Sequence, residues 1–424
     1  MFQNVLAIHS ACSCGKKHPL LTKECVVSKE AALAMRDYIA ANNFRRPLIV
    51  ADENTVVFAE NLLARFPAAK AVVDGHAHAT EVYVAEVESV IDAEKPDVLI
   101  ACGSGSVHDI TRYCAKEKGL PFLSYPTAAS VDGFVSGVAA MTWHGQKLTF
   151  PSVPPLACFA DPEVFSSAPE RLTASGVGDV LGKWVSLFDW RVGQILTGEP
   201  VCEEIFALEA EAVSEAADAV RSRSVMSREA YTEKIMNALL ISGLTIQLNE
   251  TSRPASGAEH HLSHLWEMHR INEKNDGLHG EQVAVGMLAA VRRYDAELSK
   301  GIDYEKLASP DLAKTMCRED LLPVFRELTD GILRENLPDG TLASSSLAKI
   351  RVTGDTDERI RRAAEEVPKP EEIEALLHAA GTPTSPADIG LDDSPEFIEK
   401  SLRYAPYVRN RLTLLKALTA AKKL

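Results

Sequence analysis

The sequence predicts a parallel α/β domain followed by an all-α domain. Short apolar runs alternate with helix-length segments over the first 160 residues. Beyond them, apolar residues recur at helical spacing with few strand signals. A loop of small residues lies where one apolar run passes into a helix. At 424 residues the chain has room for two or more domains, and we divide it into 1–160 and 161–424.

The first strand signal is Pro47-Leu48-Ile49-Val50-Ala51, and 69–73, 97–101 and 121–125 repeat it. Runs this uniformly apolar suit strands covered on both faces. Helix patterns over 55–66, 80–93 and 107–118 separate them, so successive strands run in one direction under a layer of helices. After Asp161 helical spacing continues over 178–197, 200–223, 227–248, 258–274 and 280–299. It resumes over 310–336, 344–350, 356–366, 370–380 and 394–420, with proline-rich breaks at 367–370 and 382–386. No period of solenoid length recurs.

Composition narrows the partners. The chain carries 45 Lys and Arg against 60 Asp and Glu, a formal charge of −15. That balance excludes a coat for nucleic acid, but not a local pocket for one small anion. The N-terminus lacks the basic start and apolar core of a signal peptide. No run approaches the ~18 apolar residues of a membrane span, so we expect no membrane insertion, a cytoplasmic protein and reduced thiols. Cys12, Cys14 and His18 form C-x-C-x3-H, a set able to hold a metal. The spacing is not that of a standard zinc finger and no second cluster faces it, so a local role is expected.

The third strand runs into Gly103-Ser104-Gly105-Ser106-Val107-His108-Asp109 and then a helix. Small residues let backbone N–H groups approach a phosphate, and the helix N-terminus adds its positive dipole end. This is a Rossmann-like nucleotide site in outline, with His108 where a third glycine would stand. A second small-residue loop, Pro126-Thr127-Ala128-Ala129-Ser130-Val131-Asp132-Gly133, follows the next strand. Asp52, just past the first strand, has two readings: it accepts from a nucleotide ribose, which would favour NAD over NADP, or it caps the helix after it.

The second domain collects histidines. His260 and His264 lie four apart on one helix face, and His279 opens the next helix. Asp179, in Ser175-Gly176-Val177-Gly178-Asp179 at a predicted helix start, is a further candidate. One carboxylate and two imidazoles make a three-ligand site with positions open to substrate. The plainer readings are a helix cap for Asp179 and a solvated face for the histidine pair.

Taken in order, Gly103 to Val107, Pro126 to Gly133, Ser175 to Asp179, Arg253-Pro-Ala-Ser-Gly-x-Glu259-His260 and His279-Gly-Glu281 resemble the iron-type alcohol dehydrogenase and dehydroquinate synthase-like superfamily. Within it they are most similar to the sn-glycerol-1-phosphate dehydrogenases, the bacterial branch above all. Tyr407-Val408-Arg409-Asn410-Arg411-Leu412-Thr413 fits that branch too. The resemblance covers about residue 12 to about 415.

It implies a dehydroquinate synthase-like fold: an NAD(P)-binding α/β domain and an all-α metal- and substrate-binding domain. It implies a metal- and NAD(P)-dependent enzyme interconverting dihydroxyacetone phosphate and sn-glycerol 1-phosphate. The alternatives are a polyol dehydrogenase of the same fold and a lyase or cyclase like dehydroquinate synthase. By motif position Asp179, His260 and His279 hold the metal, nickel or zinc ahead of iron. Asp132 and His264 meet the substrate, with Asp179 also there, and Asp132, His264 or a metal-bound water moves its proton. Gly103, Ser104, Gly105, Ser106, Val107, Thr127, Ala128, Ala129, Ser130 and Ser136 line NAD(H), or NADP(H), with Asp52. Glu259 is expected to orient His260, and Lys183 and Arg253 to be structural ions. A homo-oligomer, a dimer first, is expected.

Overall fold

Six strands form one parallel sheet in the order β1-β8-β5-β4-β2-β3. They are β1 (Glu24–Val27), β2 (Pro47–Asp52), β3 (Ala69–Val73), β4 (Val98–Gly103), β5 (Phe122–Pro126) and β8 (Ala157–Ala160). The intervening β6 (Val138–Trp143) and β7 (Gln146–Pro151) form a separate antiparallel hairpin. The computed structural model describes residues 2–144 and 146–424, the side chains of Gln146 and Lys147 apart.

The four strands expected from apolar runs are β2, β3, β4 and β5. The two outside that set, β1 and β8, are four-residue strands paired with each other. Strands β2 and β4 are buried at every residue. Their side chains alternate between two cores: Leu48, Val50, Leu99 and Ala101 pack in one, Ile49, Ala51, Val98 and Ile100 in the other. Helices therefore cover both faces, which is why these runs are apolar throughout rather than alternating. The helices of this part are α1 (Phe2–Ser10), α2 (Ala31–Ala41), α3 (Val56–Leu63), α4 (Glu81–Glu94), α5 (Gly105–Lys118) and α6 (Pro162–Ser166).

Three long helices follow: α7 (Glu170–Thr197), α8 (Glu203–Arg221) and α9 (Arg228–Asn249). Next come α10 (Ala258–Glu267) and α11 (His279–Lys300), then short helices to the C-terminus. By contacts the chain groups into two units, Met1–Val180 with Glu211–Thr251, and Leu181–Ala210 with Ser252–Leu424.

Several helices differ from their expected spans. The segment 310–336 is not one helix but four pieces, Leu312–Thr315, Arg318–Phe325, Arg326–Leu328 and Thr329–Asn336. Pro323 lies inside the second piece, and Arg326 after it has φ of 49°. Helix α10 stops at Glu267 rather than 274, with His269 left-handed just beyond. The segment 394–420 divides around Pro406 into Pro395–Tyr404, Ala405–Tyr407 and Leu414–Ala421. Helix α7 begins eight residues before its expected start at 178. Asp179 is therefore inside that helix and does not cap it, which removes one plain reading of this residue.

His108 explains why the glycine loop closes without a third glycine. Its Nδ1–H donates to the Ser104 carbonyl (3.0 Å) and its Nε2 accepts from the Ser124 hydroxyl (2.8 Å). The ring also stands edge-on to Phe134 at 4.9 Å. Burial, and then the Arg112 charge, pull its pKa down to about 3. The folded protein thus keeps a neutral ring where the unfolded chain has an ordinary one. Stability on this account is full above the ordinary value and falls as the unfolded chain takes up its proton. The loss begins as the pH falls below about 6.5 and continues towards about pH 3. Melting curves should show this acid slope in the wild type and a much flatter one in His108→Gln.

Gly176 in α7 offers a second test. A Cβ there would overlap the Ala129 carbonyl oxygen, which is backbone and cannot swing aside. Gly176→Ala should lower unfolding stability by roughly 1–3 kcal/mol or more. Gly354, with open space around it, should tolerate alanine within about 0.5 kcal/mol. Denaturant titration of the two variants checks this.

Candidate active site

The chain leaves β2 towards β3 and leaves β4 towards β5, on opposite sides of the β2–β4 pair. That reversal opens a crevice at the carboxyl ends of β2 and β4, the place where open α/β sheets bind nucleotides. Asp52 ends one strand and Gly103 the other. The Thr55 hydroxyl donates to the Cys102 carbonyl (3.0 Å), tying the two ends together.

Gly103 must be glycine here, because a Cβ would stand 2.6 Å from the Val107 side chain. Ser104 is extended just before α5, Ser106 lies in its first turn, and Gly105 faces Val131 of the second loop. The Thr127 N–H donates to the Gly103 carbonyl (3.0 Å), so the two small-residue loops are bonded to each other. Thr127 and Ser130 are buried, and Ala128 and Ala129 fully so. The Ser136 hydroxyl accepts from Arg112 (2.8 Å), a buried cation that also holds the Val138 and Gly133 carbonyls. One oxygen of Asp52 accepts from the N–H groups of Asn54 (2.9 Å) and Thr55 (2.8 Å) and from the Thr55 hydroxyl (3.0 Å). These bonds fold the turn that leads into α3, whose N-cap is Thr55, so Asp52 does not cap that helix as one of its two readings had it. Burial raises its pKa against those hydrogen bonds.

Asp132 opens the short 3-10 turn Asp132–Val135. Its N–H donates to Asp179 Oδ2 (2.9 Å), and its Oδ2 accepts from the Ser242 hydroxyl of α9 (3.0 Å). The glycines of the motifs make this approach possible. Gly176 lets α7 lie against Ala129, and Gly243 leaves room for the Asp132 carbonyl, which a Cβ would meet at 2.5 Å. Asp179 itself is fully buried.

The histidine cluster sits on α10 and α11. Ring centroids are 5.3 Å apart for His260 and His279, 5.9 Å for His260 and His264, and 6.0 Å for His264 and His279. His260 Nδ1–H donates to Glu259 Oε1 (2.7 Å), and His279 Nδ1–H donates to Glu267 Oε1 (2.9 Å). In each pair a carboxylate fixes the tautomer and leaves Nε2 as the lone-pair donor, an arrangement suited to metal ligation. Glu259 is itself held by the Gly257 N–H (2.7 Å). Donor atoms of His264, Glu267 and His279 also fall within 4.8 Å of one another. Burial keeps the His264 imidazole neutral against the opposing charge of Glu267, and its Nδ1 has no hydrogen-bond partner among the described residues.

His261, the next residue to His260, has no ring contact with this cluster and is fully buried. Arg253 is a structural ion: it pairs bidentately with Glu199 (2.8 and 2.7 Å) and holds the Leu412 carbonyl (2.7 Å). Lys183 is fully buried within α7. Glu267 escaped the sequence reading. A carboxylate seven residues after His260 was the available signal, but its partner is twelve residues further along and only the fold joins them.

Comparison with known proteins agrees with this architecture. Residues 26–169 match the family model described as iron-containing alcohol dehydrogenase. A glycerol-1-phosphate dehydrogenase [NAD(P)+] of Geobacillus stearothermophilus is 30% identical, over 97% of this chain and 96% of its own. Its Bacillus velezensis counterpart is 36% identical, over 78% of this chain and 82% of its own. Among solved structures, an iron-containing alcohol dehydrogenase from Corynebacterium glutamicum has a TM-score of 0.62 at 16% identity, over 96% of each chain. Sulfoacetaldehyde reductase from Bifidobacterium kashiwanohense, solved with NAD+, also scores 0.62, at 18% identity, over 96% of this chain and 97% of its own. The chain belongs to the glycerol-1-phosphate dehydrogenase family, on the fold of the iron-containing alcohol dehydrogenases.

Proposed function

We propose that the chain catalyses the reversible, NAD(P)-linked and metal-dependent reduction of dihydroxyacetone phosphate to sn-glycerol 1-phosphate. The observation that carries the reading is the pair of carboxylate-oriented imidazoles, His260 with Glu259 and His279 with Glu267. With the glycine loop they supply what a metal-assisted ketone reduction needs: a Lewis-acid site and a nucleotide site. The curated relatives bear the matching name.

His260, His279 and Asp179 hold the metal in this proposal. The donor set fits: two neutral nitrogens and one carboxylate suit nickel, zinc or ferrous iron, and nickel or zinc is our assignment. Asp179 precedes Gly182 by three residues on α7, and Gly182 packs against Glu259 and Val283 beside the histidines. Bound there, the metal supplies polarisation of the substrate carbonyl, and NAD(P)H supplies the hydride.

The chain's own residues do the rest. Gly103 to Val107, Thr127 to Ser130 and Ser136 cradle the dinucleotide, and Asp52 offers its second oxygen to a ribose hydroxyl. The N-terminus of α5 favours the anionic pyrophosphate. Asp132 faces the substrate from a turn held on both sides by Asp179 and Ser242. His264, neutral and with Nδ1 unengaged, moves the proton to or from the alcohol oxygen together with Asp132. The α/β part, 1–160, binds nucleotide, and 161–424 binds metal and substrate. No described helix is long and apolar enough to cross a membrane. The protein works as a cytoplasmic homodimer in this proposal, with no nucleic-acid partner.

The test is NADH consumption with dihydroxyacetone phosphate in the presence of nickel or zinc, followed by chiral assignment of the product. sn-Glycerol 3-phosphate as product overturns the reading. A higher kcat/KM for unphosphorylated dihydroxyacetone points to a polyol dehydrogenase, and absence of net NADH consumption to a lyase. His260→Ala should lose retained metal and lower kcat by ~10^3-fold or more, since the carbonyl then lacks its Lewis acid. Glu259→Gln should weaken metal affinity by ~10–100-fold through the imidazole it orients. His264→Ala should retain metal, raise substrate KM and lower kcat, since the ring both meets the substrate and moves its proton. Metal titrations and steady-state kinetics separate the three.

A further inference from the structure

The C-x-C-x3-H segment plays no part in this chemistry, yet its side chains converge. Donor atoms of Cys12, Cys14 and His18 lie within 4.8 Å of one another. Cys14 Sγ is 3.1 Å from His18 Nε2. The other ring nitrogen, Nδ1–H, donates to the Leu248 carbonyl (2.8 Å), which fixes the tautomer and turns the Nε2 lone pair towards the sulfurs. The same device orients zinc-bound histidines generally. Gly15 is left-handed at φ 74°, and after this turn the Lys16 N–H reaches back to Cys14 Sγ (3.4 Å), a contact that favours a thiolate. His18 is buried while Cys14 is exposed, so an ion reaches the site from solvent.

We propose that Cys12, Cys14 and His18 bind a structural zinc ion, a second metal distinct in ligand chemistry from the one at the active site. Two thiolates and one imidazole are three of the four ligands of a tetrahedral zinc site, and zinc is the first-row ion that such a set holds without redox chemistry. Binding displaces two thiol protons to solvent, so affinity falls with falling pH. Of the other cysteines, Cys25 and Cys158 face each other across β1 and β8, Cys102 ends β4 and Cys114 faces the Val84 carbonyl of α4. On the side where Cys14 is exposed, the fourth position is open to a solvent ligand.

The site braces the substrate loop. His18 is bonded to Leu248 near the end of α9. Gln247, beside it, accepts from the N–H groups of Leu21 (3.1 Å) and Thr22 (3.3 Å) and donates to the Val135 carbonyl. Ser242, on the same helix, holds Asp132. Zinc would therefore lock the 12–22 segment onto the helix that positions the Asp132 turn.

Cobalt substitution of the full-length protein tests this without reference to turnover. Thiolate ligands give an intense near-ultraviolet charge-transfer band that a site of carboxylate and imidazoles cannot give. We expect the band in the wild type and in His260→Ala/His279→Ala, and its loss in Cys12→Ser/Cys14→Ser together with one metal per chain. The melting temperature of that double variant should fall by several degrees. Should it fail to fold, a thiol-specific mercurial added to the wild type should release one zinc to a chromogenic chelator. His18→Cys should then retain the zinc that His18→Ala loses. A wild type without the band, a band that survives in Cys12→Ser/Cys14→Ser, or a Cys12–Cys14 disulfide in the purified protein overturns the proposal. None of these outcomes depends on whether dihydroxyacetone phosphate is the substrate.

Discussion

The placement of the Asp132 turn hangs on how closely two helices approach one loop. Residues 126–135 lie directly against α7 and α9, and the contact exists because position 176 and position 243 carry no Cβ. At this separation backbone meets backbone, and the Asp132 N–H reaches a fully buried carboxylate. Two hydrogen bonds, one from each helix, then fix a turn that a surface loop would otherwise leave free. Buried polar contacts of this kind are rigid because breaking either one strands a charge or a hydroxyl away from water.

The central sheet was legible because its strands are buried on both faces and therefore unbroken in their apolarity. Strands β2 to β5 fall where the runs at 47, 69, 97 and 121 place them. The pair β1 and β8 was not legible: Glu24-Cys-Val-Val is half-buried and short, and β8 follows a proline-rich stretch that reads as a loop. The helical half was legible where segments are long, as in α8, α9 and α11. Beyond 300 the expected helices at 356–366 and 370–380 are present, but Pro323 and Arg326 cut the continuous apolar period of 310–336 into pieces. Of the candidate site, the order of the motifs was readable. The carboxylate partners were only half so, since Glu259 adjoins its histidine in sequence and Glu267 meets His279 only across a helix turn. Asp179 changed meaning, from the edge of a helix to its interior.

The excess of acidic residues sits beside a proposed chemistry in which substrate and cofactor are both anionic. The two observations are compatible because the acids that matter are already engaged. Glu259 and Glu267 are bonded to imidazoles, and Asp179 accepts an N–H. At the carboxyl ends of β2 and β4 the start of α5 supplies positive potential, while the Arg112 charge is taken up by Asp109, Ser136 and the loop carbonyls.

The unit that carries the sheet is not contiguous. Its chain runs to Val180, leaves, and returns for Glu211–Thr251, so α9 begins some sixty residues after α6 has ended. Of its three borders with the second unit, the one at 180 falls within α7 and the one at 210 within α8. A ribosome building this protein must deliver about 250 residues before the sheet acquires the helix that clamps the Asp132 turn. This unit therefore cannot be cut from the chain as one continuous segment. A fragment ending near 160 keeps the glycine loop but leaves the Asp132 turn without either helix that holds it.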